Sequence, residues 1–427
     1  MTPDWTTDGL DHIWLPYTQM KTVAPPLPVV STRGCRICLA DGRELVDGIA
    51  SWWTAVHGYN HPHIREAVAH QLETMPHVML GGLVHEQALT LATRLARLLP
   101  GDLSRVFFSE SGSVSVEIAM KIALQYWINK GIAGRTRFVS FKGGYHGDTF
   151  QTMSVCDPDE GMHSLFAGSL APQHVVELPH TRDGAAQLGA FLRSRADHIA
   201  ALIIEPLVQG AGGMQMHPIA ALQAIVAAAR EAGILVIFDE IFTGFARTGT
   251  LFACEAAQVV PDIITLSKAL TGGTLPLAAT VARAGVFDAF WSDDPAHALM
   301  HGPTYTGNAL ACSAANASLD LFEREPRLAQ AKAIEKQLSE QLAAARAIEG
   351  VADVRILGAI GAIAFDHAPD LGWLKARLLE RGVWVRPFGR TLYTTPALII
   401  TPDELARVTG AMVEVARAWS LERRARP

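Results

Sequence analysis

The chain has little of what marks nucleic-acid-binding, membrane-spanning or secreted proteins. Its 427 residues carry 36 Lys and Arg against 42 Asp and Glu, and the longest basic stretch is the final ERRARP. Because neutralising phosphates takes clustered Lys and Arg, this balance argues against nucleic-acid binding. No apolar run approaches the roughly 18 residues that span a bilayer, and the start, MTPDWTTDGLDHIW, lacks the basic-then-apolar order of a signal peptide. We therefore expect a cytoplasmic protein.

Cysteine is also scarce, with five residues in the whole chain. An odd number without a secretory signal predicts reduced thiols rather than a disulfide framework. Cys35-x-x-Cys38 has the spacing of half a zinc or redox site, but no second pair follows it. Asp41-Gly42 between two short runs favours a β-hairpin there instead. We predict no metal site.

From about residue 85 onward, helix-like and short strand-like segments alternate. Apolar runs such as RVFFS, RFVSF, ALIIEP, ILVIFDE and DIITLS are separated by helical stretches such as SVEIAMKIALQYW. This pattern predicts an α/β protein with a mostly parallel sheet, whose ligands bind beyond the carboxyl ends of the strands. After about residue 310 the pattern becomes that of a smaller α+β unit. We predict a segment 1–50 that joins the small domain, a large domain 51–315 and a small domain 316–427.

Polar residues follow two of the predicted strands in glycine-containing loops. Ser111, Gly112 and Ser113 open a helix directly after FFSE. Backbone N–H groups at such a helix start bind anions, although an ordinary N-cap is an alternative. Tyr145 lies in the loop FKGGYHGDTF, where an aromatic side chain acts either as a lid on a flat ring or as a loop anchor.

Charged residues end two further apolar strands. Asp239 ends ILVIFD, so its carboxylate should be partly desolvated and should need a cationic or N–H partner. Lys268, in TLSKALTGG, is either a surface lysine past a strand end or an amine kept dry for chemistry. The phosphate-loop pattern G-x-x-x-x-G-K-[ST] is absent, and QGAGGMQ lacks the third glycine of a dinucleotide fingerprint, so neither nucleotide class is indicated.

Pyridoxal 5′-phosphate (PLP) explains the four features together. It needs a phosphate cradle, a stacking ring, an acid on the pyridine nitrogen and a lysine that forms a Schiff base. Burial lowers the pKa of such a lysine from about 10.4, which makes the neutral, nucleophilic amine available. Each motif alone is a weak signal, and the set in this order is a strong one.

Longer stretches around these features resemble a known family. FDEIFTGFARTG followed by LSKALTGG is similar to the signature of class III aminotransferases of PLP fold type I, which are aspartate aminotransferase-like. WLPYT, SWWTAVHGYNHP, GYHGDT, MHGPTYTGNALAC and GVWVRPFG narrow the resemblance to the diaminopelargonate aminotransferases of biotin biosynthesis. That subfamily transfers an amino group from S-adenosylmethionine to 8-amino-7-oxononanoate (KAPA). The resemblance covers nearly the whole chain and implies a ping-pong reaction in a homodimer with shared active sites.

The resemblance also implies roles for residues around the cofactor. Lys268 would form the Schiff base and move the proton, Asp239 would pair with the pyridine nitrogen, and Tyr145 would stack on the ring. The implied phosphate contacts are Gly112, Ser113 and, from the neighbouring subunit, Pro303 and Thr304.

Five residues besides Tyr145 are implied at the substrates. Arg386 would bind the substrate carboxylate as a bidentate clamp, Arg247 would supply a second, switchable charge, and Gly302 would lie beside the substrate. Tyr17 and Trp52 would form aromatic walls that also suit a sulfonium cation, with Tyr17 stacking on the adenine of the donor.

Alternatives stay open for some of these residues. Trp52 stands next to Trp53, so core packing explains it equally well, and Arg386 between apolar residues fits a structural role. Glu205 ends another strand in IIEPLVQG and is a further candidate for the site.

The chain departs from the common class III pattern at two positions, Phe242 in place of Gln and Ala246 in place of Gly. The first departure counts against a generic ω-amino-acid enzyme. Three other functions compete with the main interpretation. The first is a class III aminotransferase that uses a diamine, an ω-amino acid or lysine. The second is an aminomutase, and the third is a non-catalytic PLP-binding protein.

Overall fold

The computed structural model describes residues 4–159 and 163–425. They divide into two compact units: the small unit comprises the described residues of Met1–His61 and Ala333–Pro427, and the large unit those of Pro62–Lys332. The units divide at 61/62 and 332/333, where the sequence prediction placed divisions at 50/51 and 315/316. No helix within the described ranges is both long and apolar enough to cross a membrane.

The strands belong to four sheets, two of them in each unit. The strands of the described residues are β1 (Val29–Arg33), β2 (Arg36–Leu39), β3 (Glu44–Asp47), β4 (Leu103–Ser109), β5 (Arg137–Phe141), β6 (His174–Val176), β7 (Ile199–Ile204), β8 (Val208–Gln209), β9 (Gln215–Met216), β10 (Leu235–Asp239), β11 (Ile263–Leu266), β12 (Ala278–Arg283), β13 (Val351–Leu357), β14 (Ile360–Phe365), β15 (Val383–Trp384) and β16 (Thr391–Thr394).

The helices range from single turns to long segments. Those of the described residues are α1 (Asp4–Leu10), α2 (Ala50–Trp53), α3 (Pro62–Thr74), α4 (Glu86–Leu98), α5 (Gly112–Asn129), α6 (Phe150–Met153), α7 (Arg182–Arg195), α8 (Ile219–Glu231), α9 (Ala253–Ala257), α10 (Ala284–Phe287), α11 (Ala309–Arg324), α12 (Arg327–Leu342), α13 (Leu371–Glu380) and α14 (Pro402–Ala425).

A seven-stranded sheet with the order β4-β12-β11-β10-β7-β5-β6 forms the centre of the large unit. The five strands from β11 to β6 run parallel, whereas β12 is antiparallel to both of its neighbours. The predicted mostly parallel sheet is confirmed. We did not predict β12, because its sequence, AATVAR, contains few of the large β-branched and aromatic residues that mark strands.

The centre of this sheet is buried, because every residue of β7 and β10 is buried. Helix α5 packs its apolar residues, including Val116 and Ala119, into one cluster with strand residues such as Phe138 and Ile203. Near-continuous apolar strands of this kind are typical of parallel sheets that are covered on both faces. The result is a rigid platform on which the residues after the strand ends are fixed.

The small unit is a mixed α+β structure, as predicted. Its sheets have the orders β1-β2-β3-β15 and β13-β14-β16, and the second is antiparallel throughout. The predicted hairpin joins β2 to β3: Gly42 has a φ of +88°, and its N–H donates to the Leu39 carbonyl oxygen at 3.0 Å. A positive φ explains glycine at this turn.

Candidate active site

Lys268 lies just after the carboxyl end of β11, in the large unit. Its backbone φ of +45° is in the left-handed region, which is uncommon for a residue with a side chain. Burial lowers the pKa of its amine to about 8, although the carboxylates of Asp239 and Glu205 act in the opposite direction. At neutral pH the amine is therefore far more often neutral than that of an ordinary lysine.

Asp239 ends β10, directly beside β11, because Asp239 pairs in register with Thr265. The side chain of Asp239 is only 4% exposed. One carboxylate oxygen lies 2.8 Å from His146 Nδ1, and the other accepts from the Ile241 N–H at 3.2 Å and the Thr265 hydroxyl at 3.3 Å. The partner that the sequence analysis required for this carboxylate is thus His146.

Tyr145 and His146 lie in the loop after β5, and hydrogen bonds from their backbone N–H groups fix this loop. The Tyr145 N–H donates to Glu205 Oε2 at 3.1 Å, and the His146 N–H donates to Cys156 Sγ at 3.2 Å. The rings of Tyr145 and His163 stack, with centroids 5.9 Å apart and planes 20° apart. Tyr145 therefore has one ring face set against an aromatic neighbour and a backbone tied to a buried acid.

Glu205 is buried at the end of β7 and accepts a second backbone hydrogen bond, from the Gly210 N–H at 2.9 Å. Burial raises the pKa of its carboxyl to about 7, the nearby Asp239 adds to the rise, and His146 opposes it. The Glu205 carboxylate thus supports the Tyr145 loop. The sequence left Glu205 as an open candidate for the site, and this contact defines its place there.

The start of α5 leaves backbone donors available for an anion. Ser111 is the N-cap, and its hydroxyl accepts from the Val114 N–H at 3.3 Å. The N–H groups of Gly112 and Ser113 are among the four that a helix cannot satisfy internally. The Ser113 hydroxyl accepts from the Asp148 N–H at 3.1 Å, which joins this helix start to the Tyr145 loop.

The two departures from the class III pattern lie in the loop after β10. Phe242 is buried, and a Cβ added to Gly210 would lie 2.7 Å from its ring, so the ring packs directly on that glycine. Ala246 is fully buried at a φ of +67°. A side chain costs about 1–2 kcal/mol in this conformation, which explains why glycine is usual at that position.

The remaining predicted residues of the large unit differ in exposure. Arg247 is almost completely buried in the loop after β10. Gly302 and Thr304 are exposed and Pro303 is half-buried, in a turn where the Thr306 N–H donates to the Pro303 carbonyl oxygen at 3.1 Å. Their predicted contacts with the phosphate and the substrate remain predictions.

The other three predicted substrate residues form a cluster within the small unit. The Arg386 guanidinium lies 3.8 Å from the centroid of the Trp52 ring, in cation–π geometry. Tyr17 meets the same ring edge-on, with centroids 6.3 Å apart. Trp53 is 6% exposed and packs near Tyr393, whereas Trp52 is 39% exposed. Only Trp53 therefore belongs to the core.

Sequence patterns missed several supporting residues. His146 and His163 have no signal beyond their position near Tyr145, and only the strand-end rule for ligand sites could have drawn attention to His146. Asp47 ends β3 in ELVDG, a position similar to that of Asp239, and it was overlooked because the neighbouring residues suggested only a hairpin.

The donor set of the large unit fits a phosphorylated, cationic aromatic ring with a carbonyl group. Two backbone N–H groups at a helix start suit the phosphate, a buried carboxylate suits a protonated ring nitrogen, and a lysine of lowered pKa suits the carbonyl.

Comparisons with known proteins agree with this chemistry. The family model described as aminotransferase class-III matches residues 17–416. The adenosylmethionine-8-amino-7-oxononanoate aminotransferase of Mycobacterium leprae is 45% identical over 95% of both chains, and that of Corynebacterium glutamicum is 42% identical over 94% of this chain and 96% of the relative.

Two solved structures extend the likeness to the fold. The enzyme of the same name from Methanocaldococcus jannaschii has a TM-score of 0.92 at 32% identity, covering 97% of this chain and 98% of its own. An amine transaminase from an uncultivated Pseudomonas species, in its PLP-bound form, has a TM-score of 0.88 at 32% identity, covering 95% and 98%. The chain therefore belongs to the class III aminotransferase family and is a PLP-dependent transaminase of fold type I.

Proposed function

We propose that the chain transfers the amino group of S-adenosylmethionine to KAPA and so forms 7,8-diaminononanoate in biotin biosynthesis. The observation that carries this proposal is the agreement of the relatives: proteins from bacteria and from Saccharomyces cerevisiae, 35–45% identical over nearly the whole chain, bear the name adenosylmethionine-8-amino-7-oxononanoate aminotransferase.

In this proposal the large unit performs the chemistry. Bound PLP supplies an electron-withdrawing ring that stabilises negative charge on the carbon that loses its proton. The Lys268 amine would hold the cofactor carbonyl and would move the proton, since its lowered pKa keeps part of it neutral. Asp239, oriented by His146, holds the ring nitrogen in its protonated form. Tyr145 covers the ring.

The phosphate is held by the N–H groups of Gly112 and Ser113 and, across a homodimer interface, by Pro303 and Thr304 of a second copy. Large apolar side chains support an interface here, because Trp291, Met300 and Tyr305 around this segment are 78%, 71% and 58% exposed. Exposed apolar patches of this kind mark interaction sites.

The small unit recognises the substrates. Arg386 binds the carboxylate, and Trp52 and Tyr17 form the aromatic walls, with Tyr17 against the adenine of the donor. Support comes from the environment of Arg386: it is half-buried, and Tyr393, Tyr17 and Lys375, but no carboxylate of the described residues, act on its charge. Such a guanidinium is available for a carboxylate ligand.

Two further roles complete the proposal. Arg247 supplies the second charge and Gly302 lies beside the substrate, as the family motif implies. The proposal also includes a cytoplasmic location, which an odd number of cysteines, five, favours over a disulfide framework.

Single-turnover measurements on the holoenzyme test the function. Addition of S-adenosylmethionine should bleach the visible absorbance of the lysine-bound cofactor, and KAPA should restore it with formation of 7,8-diaminononanoate. A second class III activity competes, because structural relatives include amine transaminases. Bleaching by a diamine, 4-aminobutyrate or lysine, with no response to S-adenosylmethionine, would overturn the proposal in favour of that activity.

A further inference from the structure

The turn that carries Trp52 has an unusual backbone. All four residues of α2, Ala50 to Trp53, have positive φ values, of 47°, 50°, 63° and 78°. None of them is glycine, so the backbone of each residue is held in the left-handed region, which residues with a side chain rarely adopt. Residues in sparsely populated conformations cluster at binding and catalytic sites, and they persist only where the surroundings fix them.

Asp47 is the group that fixes this turn. It is 1% exposed at the end of β3, and both carboxylate oxygens accept hydrogen bonds. Oδ1 accepts from the Ile49 N–H at 2.8 Å, and Oδ2 accepts from the Ser51 N–H at 2.6 Å and from the Tyr59 hydroxyl at 2.6 Å. The carboxylate thus ties the backbone on either side of Ala50 to one point in the core.

The turn passes this constraint to the substrate cluster. Its left-handed path sends the Trp53 ring into the interior and leaves the Trp52 ring exposed. The Arg386 guanidinium rests on that exposed ring at 3.8 Å. A cation–π contact depends on the position of the ring face, so a shift of the turn displaces the surface against which Arg386 is aligned.

We propose that Asp47 is a positioning residue for carboxylate recognition: it holds the left-handed turn Ala50–Trp53, and through the Trp52 ring it fixes the Arg386 guanidinium. This inference rests on the proposed function, in which Arg386 binds the substrate carboxylate. Because Asp47 is only 1% exposed, it acts through the turn and not by direct contact with the substrate.

The substitution Asp47→Asn tests the proposal, with Tyr59→Phe as a milder variant that retains the carboxylate. An asparagine side chain has one acceptor oxygen and one NH₂ group, so at least one of the three donors loses its acceptor. For Asp47→Asn we expect the KM for KAPA to rise about tenfold, the effect of one lost charge-assisted hydrogen bond. Turnover at saturating KAPA and the visible absorbance of the cofactor should stay unchanged. Tyr59→Phe should raise the KM about threefold.

A double-mutant cycle separates positioning from general damage. If Asp47 acts through Arg386, then adding Asp47→Asn to Arg386→Ala should leave the KM within about twofold of that of Arg386→Ala alone. The matched control is Asp41→Asn, which removes an exposed carboxylate of the β2–β3 hairpin and should change nothing.

Two results would overturn the inference: independent, multiplicative effects of Asp47→Asn and Arg386→Ala, or an unchanged KM in both Asp47→Asn and Tyr59→Phe. If Asp47→Asn does not fold, the same cycle with Tyr59→Phe decides. Failure of the proposed function is distinguishable, because in that case the unsubstituted holoenzyme does not aminate KAPA with S-adenosylmethionine.

Discussion

The surroundings of Lys268 in the large unit and those of Trp52 in the small unit fix their side chains by different means. Around Lys268, adjacent parallel strands end in register and place Asp239 beside Thr265 on a buried platform. Around Trp52, the residue at the strand end, Asp47 of β3, acts indirectly. A run of four left-handed residues, tied to Asp47, presents the ring.

The difference matches the two tasks that we propose for these residues. Proton transfer, which we propose for Lys268, needs a group whose pKa is shifted, and burial at a sheet edge provides that shift. Recognition of a carboxylate needs a cation with a defined orientation that is still accessible, and a tight turn at the surface of a small unit provides that. Substitutions at the first place should therefore change chemistry, and those at the second should change affinity.

The largest effect is expected from Lys268→Ala. Loss of the amine removes both the covalent attachment of PLP and the proton carrier, so turnover should fall by about a thousandfold or more. Stopped-flow amination and the visible spectrum of the holoenzyme measure both losses. Lys142→Ala, at an exposed lysine that pairs with Asp159, is the matched control and should retain activity. Normal turnover in Lys268→Ala would contradict the assignment.

Arg386→Ala should affect binding and leave the cofactor untouched. Charge-assisted hydrogen bonds contribute about 1.5–3 kcal/mol, so the KM for KAPA should rise about 10- to 100-fold while the cofactor absorbance stays the same. Steady-state kinetics with varied KAPA gives the KM. Arg377→Ala, which removes an arginine of α13 that pairs with Glu380, is the control. A loss of cofactor absorbance in Arg386→Ala would contradict the separation of chemistry at Lys268 from binding at Arg386.

The strand pattern indicates only the first of these places, whereas Tyr17, Trp52 and Arg386 at the second are expected through the family resemblance. Apolar runs ending in Asp239 and Lys268 indicate buried strands, and parallel strands bring their carboxyl ends to one edge. The left-handed turn had no signal, because Ala50, Ser51 and Trp52 give no hint of positive φ, for which glycine is the usual marker. The hydrogen bonds of Asp47 that stabilise the turn depend on tertiary structure, as does the pairing of His146 with Asp239, which are 93 residues apart.

The pH dependence of cofactor binding sharpens the description of Lys268. Burial lowers the pKa of its amine to about 8, so the neutral form is depleted tenfold for each pH unit below that value. The rate at which apoenzyme recombines with PLP should therefore rise about tenfold per unit up to pH 8 and level off above it. Absorbance-monitored reconstitution from pH 6 to 10 measures this rate. A rise that continues to about pH 10 would show an amine with the ordinary lysine pKa.

The smallest effect concerns the backbone strain at Ala246. Glycine relieves about 1–2 kcal/mol at its φ of +67° and loses roughly 0.5–1 kcal/mol through the greater freedom of the unfolded chain. Ala246→Gly should therefore stabilise the large unit by up to about 1 kcal/mol and raise its urea midpoint. The control is Ala227→Gly at an exposed position inside α8, where glycine costs about 1 kcal/mol and the midpoint should fall. Opposite signs would show that the large unit tolerates strain at a site where a family glycine would remove it. If both variants lower the midpoint, Ala246 is unstrained in solution. The left-handed turn Ala50–Trp53 would then be the better-supported example of a backbone conformation imposed by its surroundings.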